Sequence, residues 1–173
     1  PGAARFDIAP DGRRIAFVSW VWPELKGSQA QAKRHKEFKE RKESGYATSE
    51  AQYRYWDHNV PMGRVAHLHV LDVASGRVTG LFEGSGLELS RAEPDANTFD
   101  IAPDGKRIAY RMNTSWDEER RNYRGGQNRP VWIVDLKTFD LVSPPWTDSK
   151  DVDPVWLGDT VFFISDRDGM ANV

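Results

Sequence analysis

FDIAPDGRRIAF at residues 6–17 returns as FDIAPDGKRIAY at residues 99–110, with ten of twelve positions identical. Identity that dense marks an internal repeat. Each copy reads as a β-hairpin whose Ala-Pro-Asp-Gly segment (Ala9 to Gly12, Ala102 to Gly105) makes a type I turn. Proline pre-sets φ there, aspartate bonds the backbone ahead of it, and glycine accepts a left-handed position. DPVWLGDTVFFISD at 153–166 is a degenerate third copy that turns at Leu157-Gly158-Asp159. Further strands follow the first two copies: residues 67–73 and 77–82 after the first, 131–136 and 139–142 after the second. Each unit is therefore a four-stranded meander.

The runs Ile15 to Val18, Val131 to Val134 and Val161 to Ile164 are continuously apolar, which argues for burial on both faces. Sheets stacked face to face around an axis meet that demand, and four-stranded units of this kind are the signature of a β-propeller blade. The fold class expected is all-β: a partial β-propeller of two four-stranded blades plus the start of a third, carrying a helical insertion. Blade 1 spans 6–82 with the insertion at 22–62, blade 2 spans 99–142 with an Arg-rich insertion at 113–129, and blade 3 begins at 152–173. Both insertions fall between second and third strands, which places them in loops leaving the same end of the sheets. A ring needs more blades, so the chain reads as a fragment of a longer one.

Composition excludes several classes of function. Lys+Arg 24 against Asp+Glu 26 gives a net charge of −2, so no global cationic field favours nucleic acid or an anionic membrane. With no cysteine there is no disulfide framework, thiolate metal site or cysteine nucleophile. No apolar run approaches the length of a membrane span. Residues 28–43 (SQAQAKRHKEFKERKE) lack Pro and Gly and place Lys36 four residues before Glu40, predicting a helix. Its only large apolar side chain is Phe38, the pattern of a solvated helix. Seven Lys or Arg between Lys26 and Lys42 are the rival docking patch, diluted by Glu37, Glu40 and Glu43.

The search for catalytic residues finds none. No Gly-x-Ser-x-Gly elbow occurs, and Ser85 between Gly84 and Gly86 reads as a turn. His67 and His69 share one strand face near Asp57 and His58, but a two-residue spacing without a third ligand points to strand histidines rather than a metal site. Ser165 to Gly169 reads as a hairpin turn in preference to a calcium loop. Neither metal nor cofactor is expected. The Arg-rich insertion offers Arg120, Arg121 and Arg124 beside a Gly pair, and guanidinium forks suit carboxylates. The alternative pairs these arginines with Asp117, Glu118 and Glu119 as surface ion pairs.

Residues 113–173, from NTSWDEERRNYRGGQNRPVWIVDL through DVDPVWLGDTVFFISDRDGMANV, resemble the N-terminal propeller of tricorn-type proteases. Residues 6–76, with FDIAPDGRRIAFVSW, the charged insertion and YRYWDHNVPMGRVAHLHVLDVASG, resemble the propeller of acylaminoacyl-peptidase-like members of the prolyl oligopeptidase family. Either one lineage holds both features or the chain joins two. Both resemblances imply a non-catalytic module that gates and orients peptides for a serine peptidase domain elsewhere in the parent protein. The tricorn resemblance implies in addition that Arg120, Arg121 and Arg124 hold the C-terminal carboxylate of a peptide. The partners expected are peptides and that downstream peptidase domain, with neither nucleic acid nor membrane; oligomerisation is left open. The compartment is also open, the cytoplasm ranking ahead of the periplasm. The alternative is a TolB-type propeller serving as a protein-interaction scaffold.

Overall fold

A computed structural model describes residues 2–45, 47, 63–89, 94–112, 124–125 and 128–173. The architecture is mostly β: two four-stranded antiparallel sheets, one two-stranded pair and one helix, a propeller-like fragment. The first sheet holds β1 (Ala3–Ile8), β2 (Arg14–Val21), β3 (Val65–Asp72) and β4 (Val78–Gly80) in chain order, with α1 (Gly27–Glu40) between β2 and β3. The second holds β5 (Phe99–Ile101), β6 (Arg107–Tyr110), β7 (Trp132–Asp135) and β8 (Leu141–Val142), again in chain order. The pair is β9 (Asp151–Leu157) with β10 (Thr160–Ser165).

The twin hairpins close by the same bonds. Gly12 N donates to the Ala9 carbonyl and Gly105 N to that of Ala102, both at 2.8 Å. Asp11 Oδ1 accepts from Arg13 N at 2.8 Å and Asp104 Oδ1 from Lys106 N at 2.9 Å. Gly12 and Gly105 stand at φ 69 and 66, the left-handed region the turn requires.

Register decides how the sheets stack. Phe99 pairs with Tyr110, Ile101 with Ile108 and Ile108 with Val134, so these residues share one face. That face packs on Ala16, Val18, Ala66, Leu68 and Val70 of the first sheet, forming the main core. On its other face Ala109 and Ile133 meet Trp156, Val161 and Phe163 of the pair. Each Phe/Ile face thus looks toward the preceding sheet and each Ala face toward the following one. Phe6 and Ile8, the first-sheet counterparts of Phe99 and Ile101, are exposed.

Polar contacts repeat from unit to unit as well. Arg14 Nη1 donates to the carbonyl of Gly105 in the next turn. Arg107, its counterpart, reaches Asp159 in the turn after that at 3.4 Å and lies over the Trp156 ring at 4.7 Å from its centroid. Asp153, at φ 53, opens a bulge in β9 where the register shifts between Phe162 and Ile164, and its carboxylate meets Arg111 Nη1 of the second sheet at 2.6 Å.

One expectation is corrected. The helix ends at Glu40, with Arg41 extended, so Glu43 lies beyond it; it is largely exposed, as its composition predicts, and anchored at Gln31. Gln31 is buried; its Nε2 donates to the carbonyls of Trp22 and Leu25 at 2.7 and 3.0 Å, and its Oε1 accepts from Trp22 N at 3.1 Å. Phe38 meets Trp22 edge to face, with Arg41 and Arg64 over its ring. One glutamine satisfying three backbone groups does what an apolar stripe would otherwise do. Val161 to Ile164 is covered on one side within this chain, leaving Phe162 and Ile164 exposed with Val155 and Leu157.

Candidate functional site

Of the three arginines singled out from sequence, Arg120 and Arg121 lie outside the described residues, as do Asp57 and His58. Arg124 lies within them and is anchored to the base of the third hairpin. Its Nη1 donates to Asp166 Oδ1 at 3.0 Å and its Nη2 to the Asp166 carbonyl at 2.7 Å. Asp166 Oδ1 also accepts from Lys150 N at 2.9 Å. Beside this pair lies Asp151, wholly buried: its Oδ1 accepts from Ser149 and Ser165 hydroxyls at 2.9 and 2.7 Å, and its Oδ2 faces Arg167 at 3.4 Å. Buried Arg111 joins Asp95 and Asp153 across two units. Two hydroxyls and a guanidinium satisfy the buried carboxylate, which ties strand starts to strand ends. Sequence reading passed over Asp151 and Arg111; the signal was a charged residue at each end of an apolar strand.

A second constellation sits on the outer face of the first sheet, where β2, β3 and β4 meet the start of α1. A cavity of about 240 Å³ is lined there by Phe17, Trp22, Gln31, His67, His69 and Glu83 among others. His67 and His69 share the strand face as their spacing predicts, ring centroids 6.4 Å apart, and His69 stacks on Phe17. His69 Nδ1 lies 3.0 Å from the His67 carbonyl. A carbonyl can only accept, so Nδ1 carries the proton and Nε2 presents a lone pair. His67 is 4% exposed and bonds to the Leu87 backbone, while its Nε2 finds no partner among the described residues. Burial, aided by neighbouring His69, holds His67 down to about 4, and burial lowers His69 as well. Both rings are neutral at pH 7. Among the described residues no three His, Asp or Glu side chains converge as a metal site.

The tricorn protease N-terminal beta propeller domain matches residues 65–173, from the start of β3 through the Arg-rich insertion to the third hairpin. This chain belongs to that family. The match begins at residue 65, well ahead of the 113–173 on which the tricorn resemblance was read, and leaves out β1, β2 and α1. TolB from Acinetobacter baumannii superposes with a TM-score of 0.48 at 15% identity, covering 96% of this chain and 27% of that one. The tricorn protease superposes with a TM-score of 0.49 at 13% identity, covering 94% of this chain and 11% of that one. The chain thus spans about a quarter or less of the length of these solved relatives. No curated protein matches.

Proposed function

We propose that this chain is a non-catalytic propeller segment of a serine peptidase, gating and orienting peptide substrates for a catalytic domain elsewhere in the parent protein. Arg120, Arg121 and Arg124 hold the peptide's C-terminal carboxylate. The observation that carries this reading is membership of the tricorn propeller family across a stretch that includes the Arg-rich insertion.

The test is fluorescence anisotropy with labelled peptides carrying either a free or an amidated C-terminus. The double variant Arg120→Ala/Arg121→Ala avoids disturbing the Arg124–Asp166 anchor. It is expected to weaken binding of the free-carboxylate peptides about tenfold or more, the scale of a lost charge-assisted contact, and leave the amidated ones unchanged. Equal affinity for both peptide forms in the unaltered protein would refute the carboxylate role.

A further inference from the structure

We propose that the cavity between α1 and the outer face of the first sheet is a binding site for a primary ammonium group on an apolar stem. The assignment stands apart from the carboxylate-holding reading and rests on a count of donors and acceptors. Gln31 has committed both its carbonyl and its amide to the backbone of Trp22 and Leu25. The Ser19 hydroxyl donates to the Gly2 carbonyl at 3.1 Å, and Gly27 N donates to Glu83 Oε2 at 3.2 Å. Among the described residues no lysine or arginine lines the cavity. Among the described lining residues, apart from the Ser28 hydroxyl and the Trp22 indole, the polar side chains not yet committed are acceptors.

Those acceptors sit together. A Cβ built on Gly80 would stand 3.5 Å from His69 Nε2 and 3.6 Å from the Glu83 Cβ, so the imidazole edge and the acidic side chain flank the same bare glycine. His67 Nε2 is closed to solvent and has no partner among the described residues. An acceptor left in that state is less stable than one that is paired. The Glu83 carboxylate, the His69 Nε2 lone pair and the Phe17 ring complement a group that donates several hydrogen bonds and carries positive charge. An anion would meet Glu83 and the His69 lone pair, with no cation among the described lining residues to offset them. The remaining walls, Val21, Pro23, Leu25 and Val78, suit the stem.

The experiment is an NMR titration of the imidazole 15N signals of His67 and His69 with phenethylamine, phenethyl alcohol and 3-phenylpropionate as probes. Phenethylamine is expected to shift both histidines, with Kd in the millimolar range for so small a probe. Glu83→Gln should weaken it about tenfold. Gly80→Ala adds a methyl at ordinary contact distance without positive-φ strain, and should obstruct the site while leaving the fold intact. An α-amino dipeptide amide compared with Nα-acetyl-lysine amide then tells whether a chain terminus or a side chain supplies the ammonium. Equal shifts from the alcohol or the carboxylate, no shift from phenethylamine at about 20 mM, or unchanged binding in both variants would overturn the assignment.

Discussion

Acidification should destabilise the fold through His67 in a way that a single substitution isolates. The folded chain takes up this proton near pH 4, whereas an unfolded chain takes it up near the ordinary 6.5. Between those values the unfolded state binds more protons, so stability present above pH 6.5 is lost as the pH falls toward 4. At about 1.4 kcal/mol per pH unit the interval gives an upper bound of roughly 3 kcal/mol. His67→Gln removes the titration and keeps an amide that can bond the Leu87 backbone. Urea unfolding of both proteins from pH 7.5 to 4 cancels the carboxylates they share. The stability difference, wild type minus variant, should shrink by about 2–3 kcal/mol as the pH drops. A difference that stays flat across that interval would refute the argument, because it would mean the imidazole is protonated in the fold or already solvated.

Leu68 is wholly buried between the two four-stranded sheets, so Leu68→Ala should lower stability by about 3–5 kcal/mol in chemical denaturation, unless the sheets do not share one core. Asp151→Ala leaves the Ser149 and Ser165 hydroxyls and Arg167 without their shared acceptor; a loss of about 3 kcal/mol is expected, read by thermal melting, and a neutral result would argue against the buried network. Gly105→Ala forces a side chain into φ 66 with its Cβ 3.3 Å from Asp11 Oδ2, and should cost about 1–2 kcal/mol, against near neutrality for Gly80→Ala.

The hairpins were legible because their turn chemistry is local: Pro, Asp and Gly dictate the bonds at Ala9 to Gly12 and Ala102 to Gly105, whatever surrounds them. The stacking was legible too, since alternate residues of one meander needed two neighbours. The anchoring of α1 was not. Gln31 looks like any polar helix residue, and its burial depends on three backbone groups at Trp22 and Leu25 that the chain brings near only after β2 has ended. At the candidate site Arg124 was singled out, yet its tether to Asp166 spans 42 residues and has no signature in spacing. The acceptor-rich cavity was missed as a ligand site. Its histidines were noticed, but Gly80 and Glu83 join them only through the pairing of β3 with β4.

The arginine that follows each turn gives the stack a direction. Arg14 reaches forward to the turn at Gly105, and Arg107 forward to the turn at Asp159. The third hairpin receives such a hand and extends none, for Thr160 occupies the matching place. A grip that is given by one neighbour and accepted by the next cannot be satisfied by a unit fitted backwards, so the side chain that steadies the rim also tells the units which way round to assemble.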